Sequence, residues 1–505
     1  MKKTLFTGML SVKGLILTAF VVLTTAVVSF AQVTSSSIGG TIKDKKGETL
    51  IGASVIAVHV PSGTRYAAVT NESGQFFMPS VRVGGPYKVT VSYVGFKDQT
   101  QENISANLGT TANVNLSLSD DSQVLDAAVI IGQKNDVFSS NRTGAASTIN
   151  SNQLAALPSL GARSLNDFTK YNPQGDGKSF SGQDSRLNNI TIDGSVFNNG
   201  FGLGSSAVAG GRTGSTAISL DAIEEVQVNV APFDVRQSGF VGAGVNAVTR
   251  SGTNEFSGSV YYTNRSQDLI GTKARNLPVT VANFNEKVIG ARIGGPIIPN
   301  KLFFFANYES QRREDPATPY VATGSSNAGI PTRVLKSDMD AMSQYLLDKY
   351  GYVTGAYENF QFKTQSDKFL IRLDYNINDF NKMSVRYSNH QSKQDLPMSN
   401  SSSLGNGSRT LNSNSMAFEN SGYVINDNTS SIVGELNSTF GSKASNTVIV
   451  SFNQQNEDRD YKATYSKNAN GFFPTIDILN NGTTYMGLGF EPFTPNNQLN
   501  VFLPK

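Results

Sequence analysis

The sequence predicts a mainly β protein of several domains. Glycine (47), phenylalanine (30) and tyrosine (18) are abundant among its 505 residues, which favours strands joined by turns over helical bundles. Apolar and polar residues also alternate along many segments, as they do in strands whose two faces meet different surroundings. At about 150 residues per domain, the length corresponds to roughly three domains.

The composition excludes several functional classes. The formal charge of +3 is matched by three lysines in the first 31 residues, so the rest of the chain is neutral and lacks the basic surface of a general nucleic-acid binder. The absence of cysteine excludes disulfides, thiol catalysis and cysteine-ligated metals. Because His59 and His390 are the two histidines, we expect no multi-histidine metal site, no cofactor and no enzymatic activity.

Residues 1–31 have the features of a secretory signal peptide. A positive start precedes the apolar run 14–28, and Ser29 and Ala31 place small residues just before a predicted cleavage at Gln32. A membrane anchor is the alternative, but the apolar run is shorter than the about 20 residues that a spanning helix needs. No later segment is apolar enough to span a membrane as a helix, so any later crossing would use β-structure.

Residues 32–120 predict a small β-sandwich. Apolar and polar residues alternate from Tyr87 to Tyr93, and turn sequences recur at short intervals, among them 44–47 and NESG at 71–74. Short alternating strands with regularly spaced turns are typical of such sandwiches.

This segment also resembles a known family. The ordered glycines and aromatic residues between GTI, which starts at Gly40, and VSYVGF at 91–96 resemble the carboxypeptidase-regulatory-like domain. The resemblance implies a seven-stranded sandwich of the carbohydrate-binding-like fold. Phe76, Phe77 and Tyr93 are expected in its core rather than on a sugar-binding platform.

The segment 121–135 is predicted to be a linker with one short β-forming stretch, LDAAVIIG at 125–132. Such a strand is able to pair with the open edge of a partner's sheet. It resembles the TonB box of TonB-dependent receptors, which implies a TonB-type inner-membrane partner, although Ala127 and Ala128 replace the usual glutamate and valine. A plain linker or a last sandwich strand is the alternative. The residues that would contact the partner are Leu125, Asp126, Val129, Ile130, Ile131 and Gly132.

Residues 136–252 and the residues directly after them contain three motifs in a fixed order: NITIDG at 189–194, LDAIEEVQV at 220–228 and GAGVNAVTRSGTNEFSGS at 242–259. A short helix is also predicted over 163–170. Together these motifs resemble the plug of a TonB-dependent outer-membrane receptor, and in particular its Oar-like branch. The resemblance implies an α+β plug inside a transmembrane barrel of about 22 strands, because such a barrel is too wide for its own side chains to fill.

Charged and turn residues of this region are candidates for pairing with polar positions of the barrel lumen. Such pairs would hold the plug and still let it move. Ordinary surface charges are the alternative for each candidate. The candidates are Arg186, Asp193, Gly194, Glu224, Glu225 and Arg250.

Residues 253–505 contain seven alternating segments that suit tilted membrane strands of about 9–11 residues. A water-soluble sheet with one face on a core alternates in the same way, so periodicity leaves both possibilities open. The segments lie at about 255–265, 286–296, 302–312, 366–377, 382–392, 429–440 and 445–459.

Loop lengths favour the membrane barrel. Connections of about 20, 53 and 36 residues alternate with short turns at 297–301, 378–381 and 441–444, and transmembrane barrels have short periplasmic turns and longer external loops. The longest connection is predicted to contain an amphipathic helix at 334–349. We expect this helix to pack an external loop, with a substrate lid as the alternative.

Seven strands do not close a barrel, and an open edge in lipid leaves backbone groups unpaired. At the spacing of these segments, about 22 strands would need roughly 800 residues. Residues 253–505 are therefore expected to be a partial outer-membrane barrel, and the sequence the N-terminal portion of a longer protein.

These features favour a TonB-dependent receptor in the outer membrane of a Gram-negative bacterium, with its N-terminal domain in the periplasm. The receptor would import an unidentified carbohydrate, peptide or metal chelate by partner-driven movement of the plug. A passive adhesion or carbohydrate-binding protein on the same barrel is the alternative. A secreted hydrolase is a third possibility, but it would need a pair of catalytic carboxylates, and no sequence motif indicates such a pair.

Overall fold

The protein is mainly β, as the composition predicts. The predicted signal sequence 1–31, the segment 125–132 and the predicted helix 163–170 lie outside the part of the chain that the computed structural model describes. None of the helices in that part combines the length and the apolar character needed to cross a membrane. The described residues are 33–120, 145–156, 172–176, 179–200, 208–230, 239, 241–271, 273–278, 282–398, 411–441, 444–462 and 473–489.

Residues 33–120 form the sandwich domain, in which two sheets enclose one apolar core. One sheet has the order β4-β1-β7, with β8 pairing β1 beyond β7, and the other has the order β3-β2-β5-β6. The strands are β1 (Ser36–Asp44), β2 (Ser54–His59), β3 (Thr64–Val69), β4 (Gln75–Val81), β5 (Gly84–Ser92), β6 (Gln99–Ala106), β7 (Thr111–Asn113) and β8 (Leu116–Leu118).

The sandwich differs from the seven-stranded expectation at its last strand. β7 and β8 both run parallel to β1, and they are separated where the side chain of Asn115 accepts the backbone hydrogen bond of Thr41 at 2.8 Å. The expectation that Phe77 lies in the core is wrong, because this side chain is 57% exposed whereas its neighbour Phe76 is buried. Adjacent residues of a strand point to opposite faces, so both phenylalanines could not enter the same core.

The inner domain comprises the described residues between 145 and 252. Its five-stranded sheet has the order β11-β10-β13-β12-β9, in which β10 and β13 are parallel and the other neighbours are antiparallel. Its elements are β9 (Ala145–Asn150), α1 (Ser151–Ala156), β10 (Asn189–Ile192), β11 (Ser195–Val196), β12 (Ile223–Val230) and β13 (Ala243–Thr249).

The large sheet is antiparallel and has seven long strands, which overlap the seven alternating segments of the sequence. Long connections at 267–284, 317–360 and 397–422 alternate with short ones at 299–301, 377–380 and 441–443. The strands are β14 (Ser257–Ser266), β17 (Asn285–Ile298), β18 (Leu302–Pro316), β21 (Gln361–Asn376), β22 (Asn381–Leu396), β24 (Tyr423–Phe440) and β25 (Ala444–Tyr461).

The long connections carry small elements of their own. The helix predicted at 334–349 is confirmed as α2 (Lys336–Tyr350), whose Met339 and Leu346 are buried in an apolar cluster of the loops. This packing fits the loop role that the sequence favours over a lid. The other elements of the connections are β15 (Lys273–Ala274), β16 (Leu277–Pro278), β19 (Tyr320–Thr323), β20 (Ile330–Leu335) and β23 (Met416–Ala417). Two further strands follow β25, namely β26 (Ile476–Asn480) and β27 (Thr483–Leu488).

Candidate functional site at the contact between the inner domain and the large sheet

The two faces of the large sheet have the reverse polarity of a sheet in a water-soluble protein. The outer face exposes large apolar side chains, and the inner face, which lies against the inner domain, buries polar and charged ones. Examples from the outer face are Ile289, Ile293, Phe369, Ile371, Leu373, Ile432, Val450 and Phe452. Examples from the inner face are Glu286, Asn307, Glu309, Ser366, Lys368, Arg386, His390, Asp427 and Ser431.

Apolar contact between the inner domain and the sheet is limited. Phe305 and Leu370 are the two residues of the large sheet that belong to the buried apolar cluster of the inner domain, as far as the described residues show. The remaining contacts that the structure describes are largely hydrogen bonds and ion pairs. An interface of this kind holds two bodies in register without the large hydrophobic term that would resist their separation.

Asp193 is the ionic centre of this contact. It stands in the turn between β10 and β11, where Asp193 and Gly194 have left-handed φ values of 47° and 75°, as the Asp-Gly sequence predicts. Its Oδ1 lies 3.2 Å from Nη1 of Arg372, and its Oδ2 lies 3.1 Å from Nη1 of Arg386. Thr249 of the inner domain donates its backbone N–H and its hydroxyl to the same carboxylate, each at 2.8 Å.

The Asp193 cluster is almost closed to solvent. The side chains of Asp193, Arg372 and Arg386 are 6%, 11% and 2% exposed. Arg372 also pairs with Asp374 of its own strand at 2.9 Å, whereas Asp193 is the ionic partner of Arg386 among the described residues. Since a buried guanidinium without a counter-charge is costly, the sheet depends on the inner domain at this point.

A second contact joins the inner domain to a buried ion pair of the sheet. Glu309 and Lys368 lie 2.7 Å apart and are nearly inaccessible to solvent. The hydroxyl of Ser219, from the inner domain, donates to Glu309 at 2.6 Å, and the hydroxyl of Tyr261 donates to the same carboxylate oxygen. The inner domain thus contributes a neutral donor that completes a pair already formed within the sheet.

Two further ion pairs lie toward opposite edges of the large sheet. Asp221 of the inner domain lies 3.4 Å from Arg292 of β17, and Arg212 lies 2.9 Å from Glu457 of the edge strand β25. With Asp193 near the middle of the sheet, these pairs fix the inner domain at three separated points. Residues of both signs contribute on both sides, so the contact is electrostatically complementary.

Other candidate residues of the sequence have ion-pair partners outside the large sheet. Arg186 pairs with the exposed Asp184 two residues earlier, at 2.5 Å, through a local turn. Arg250 and Glu224 lie 3.8 Å apart within the inner domain, where Glu224 also accepts a hydrogen bond from Ser151. These three charges are therefore partners of their own domain in the structure.

Glu225 faces the sandwich domain. Its carboxylate oxygen accepts the backbone N–H of Leu108 at 2.8 Å, and the side chain is 1% exposed. Burial raises the pKa of Glu225 from an ordinary value of 4.5 to about 8, the Leu108 hydrogen bond acts in the opposite direction, and the neighbouring charge of Glu224 adds to the rise. Contact with the sandwich domain therefore favours the protonated carboxyl.

This raised pKa predicts a pH-dependent contact. A proton is held more tightly when Leu108 covers Glu225, so the contact is fully favoured below pH 4.5 and weakens as the pH rises through about 8. Hydrogen exchange at the Leu108 amide measures this contact in the full-length protein in detergent. After correction for the intrinsic pH dependence of exchange, protection of this amide should fall at least about tenfold between pH 5.5 and 8.5.

The substitution Glu225→Gln should remove most of this pH dependence, because an amide does not titrate in this range. Asp184→Asn is the matched control, because Asp184 is an exposed carboxylate of the same domain, and it should keep a slope close to that of the parent protein. An equal slope in the parent and in Glu225→Gln would show that another group is responsible.

Sequence reasoning did not identify the partners of Asp193. Arg372 and Arg386 stand on the polar sides of alternating segments, which predicts an inward orientation but no particular contact. Ser219 and Arg212 carried no signal beyond their place in a polar loop. Within the described residues, no group of three histidine, aspartate or glutamate side chains is placed to hold a metal ion.

An antiparallel sheet with an apolar exterior, a polar interior and a folded domain against that interior is typical of an outer-membrane β-barrel. The comparisons agree. Residues 248–502 match the family described as "Outer membrane beta barrel domain", and residues 37–119 match the "Carboxypeptidase regulatory-like domain". The chain belongs to the outer membrane β-barrel family.

Two curated relatives are TonB-dependent proteins. The chain is 26% identical over 298 residues to the TonB-dependent transporter Oar of Myxococcus xanthus, covering 55% of this chain and 27% of Oar. It is 33% identical over 116 residues to the TonB-dependent receptor SusC of Bacteroides thetaiotaomicron, covering 22% of this chain and 10% of SusC. The chain thus spans about a quarter or less of the length of these relatives.

Solved structures of outer-membrane transporters are also similar over part of the chain. The outer membrane transporter YddB of Escherichia coli is 12% identical, with 63% of this chain and 40% of that chain covered and a TM-score of 0.44. The alcaligin outer membrane receptor FauA of Bordetella pertussis is 12% identical, with 63% and 47% covered and a TM-score of 0.35.

The polarity of the outer face leads to a direct prediction. Ile371→Lys places a charge at the centre of the apolar outer face and should destabilise the full-length protein in lipid vesicles by about 2–4 kcal/mol. Gln391→Lys, on the same face of the neighbouring strand but beyond the apolar band, should cost at most about 1 kcal/mol. Urea unfolding from vesicles measures both values, and equal costs would argue against lipid contact at Ile371.

Proposed function

We propose that the protein is a TonB-dependent outer-membrane transporter that imports a ligand when a partner displaces the inner domain. The observation that carries this proposal is the polar contact between the inner domain and the inner face of a sheet with an apolar exterior. A transporter of this kind needs a stopper that is held in register and is still displaceable. The two TonB-dependent relatives support the same proposal.

In this proposal the domains keep the roles that the sequence predicts. Residues 1–31 direct export, 32–120 form a periplasmic sandwich, 136–252 form the plug, and residues from 253 onward supply strands of a barrel of about 22 strands in the family. The short turns of the large sheet then face the periplasm and the long connections face outward.

The coupling segment is proposed from the sequence. Residues 125–132 would pair as a strand with a TonB-type inner-membrane protein, with Leu125, Asp126 and the Val129–Gly132 stretch in contact. Energy would come from that partner, which agrees with the absence of a nucleotide-binding motif from the sequence. Among the proposed plug residues, Asp193 would hold the plug against the barrel.

Growth of a strain that lacks the gene tests this function and the ligand class together. The strain, with and without the full-length gene, is grown with iron chelates, oligosaccharides or peptides as the limiting nutrient. We expect a defect in one class that the gene restores only when the TonB-type partner is present. Restoration without the partner would indicate a passive pore, and normal growth in all classes would favour an adhesion or binding role.

A further inference from the structure

The sandwich domain lies at the end of the large sheet that carries the short turns. Asn254, just before β14, donates its backbone N–H to the carbonyl of Pro61 at 2.8 Å. Asn376, at the end of β21, donates its side-chain amide to Thr64 at 2.9 Å. The sandwich therefore lies across the short-turn end of the large sheet, next to the inner domain.

The sandwich domain also contacts the inner domain through buried groups. Leu108 is fully buried; its N–H donates to Glu225, and its carbonyl accepts from the side-chain amide of Gln227 at 2.7 Å. Both polar side chains are almost inaccessible, so each would lose a protein partner if the sandwich moved away. A small apolar cluster joins the two domains, and it consists of Val33, Val83, Leu108 and Val248.

Arg82 connects the sandwich to both of the other bodies. Its guanidinium contacts the hydroxyl of Ser251, which follows the last strand of the inner domain, and lies 3.4 Å from Asp374 of the large sheet. Asp374 pairs with Arg372, which in turn pairs with Asp193. The ion pairs therefore form one connected series, from Asp193 of the inner domain through Arg372 and Asp374 of the large sheet to Arg82 of the sandwich.

We propose that the docked sandwich domain retains the inner domain inside the sheet, so that the sandwich must undock before the inner domain is displaced. This inference rests on the proposed function, because it concerns the movement of the plug. Its physical basis is the cover that the sandwich places over the short-turn end and the buried hydrogen bonds of Glu225 and Gln227. The small apolar cluster keeps the docking reversible, as is usual for polar interfaces between domains.

A disulfide between the sandwich and the sheet tests this arrangement. The hydroxyl oxygens of Ser80 and Thr447 lie 3.3 Å apart, so cysteines at these positions bring two sulfur atoms near each other, and a disulfide bond between them would have a length of about 2.05 Å. Residues 1–505 contain no cysteine, so the pair Ser80→Cys with Thr447→Cys introduces two thiols into a background without others in this region. The single variants are the matched controls.

Hydrogen exchange in the full-length protein in detergent reads the outcome without any ligand. After oxidation, we expect at least about a tenfold slower exchange in β12 and β13 of the inner domain and no change in β22 of the sheet, with reversal on reduction. Equal exchange of β12 and β13 in the oxidised and reduced forms would overturn the proposal. Failure of the disulfide to form would also overturn it, because the docked position would not be occupied.

A loosening variant provides an independent test. Arg82→Ala in the two-cysteine background should lower the disulfide yield and speed exchange in β12 several-fold. Arg65→Ala, at an exposed position of the same domain, should change neither. An unchanged yield and rate in Arg82→Ala would contradict the proposal. Since no measurement here depends on transport, the inference is able to fail while import by the parent protein is still observed.

Discussion

Cells that carry the full-length protein with Asp193→Ala are expected to become sensitive to vancomycin, an antibiotic too large for an intact outer membrane to admit readily. The substitution leaves Arg386 buried without its ionic partner and removes one of the two carboxylates beside Arg372. Breaking a buried ion pair from one side costs about 3–5 kcal/mol. The cost falls on the contact between the inner domain and the large sheet, so under the proposed function the inner domain should leave its docked position more often.

The minimum inhibitory concentration of vancomycin measures this effect, with the surface amount of each variant determined in parallel. Asp184→Ala is the matched control, because Asp184 is an exposed carboxylate of the same domain whose partner is the exposed Arg186. Asp193→Asn, which keeps the side-chain volume, should resemble Asp193→Ala. Parental resistance in both Asp193 variants at equal surface amounts would show that this cluster does not hold the inner domain in its docked position.

Deletion of residues 125–132 from the full-length protein should abolish partner-driven import. In the proposed function, the force exerted by the partner reaches the protein through backbone hydrogen bonds of this segment. Deletion of the segment removes these hydrogen bonds altogether. Growth on the nutrient class that requires the gene should fall to the level of the strain without it. The amount of protein in the outer membrane should stay unchanged, since the segment lies between the predicted domains.

A control for this deletion keeps the linker length and removes only the strand-forming character. Replacing residues 125–132 by eight alternating glycines and serines should give the same loss of growth, because such a linker is flexible and does not favour an extended strand. An equal replacement of residues 117–123 tests whether any change in this region suffices. Normal growth with the 125–132 replacement would identify the segment as a plain linker.

Several features of the fold follow from the sequence because they depend on local patterns. Alternation along residues 366–377 and 382–392 predicts strands that the structure contains as β21 and β22. The Asp193-Gly194 dipeptide predicts a tight turn, which the left-handed φ values of both residues show. Apolar residues spaced three and four positions apart within 334–349 predict the helix that the structure contains as α2. Each of these signals lies within about a dozen consecutive residues.

Other features could not be read from local patterns. Alternation along β21 is the same whether the apolar side of the strand faces a core or lipid, and only the burial of Lys368 and Arg372 with the exposure of Ile371 distinguishes the two. The seven-stranded expectation for the sandwich missed the interruption at Asn115, which depends on a hydrogen bond to a residue 74 positions away.

The sequence by itself determined the order of the seven long strands, the absence of cysteine chemistry and the Asp-Gly turn that carries Asp193. Only the tertiary structure decided that Asp193 meets Arg372 and Arg386, and that Glu225 meets the backbone of Leu108. Turns and strand periods arise from interactions between neighbours in the chain. The partner of a buried charge depends on which distant strands the fold brings together, and the local periodicity of the sequence does not predict this pairing.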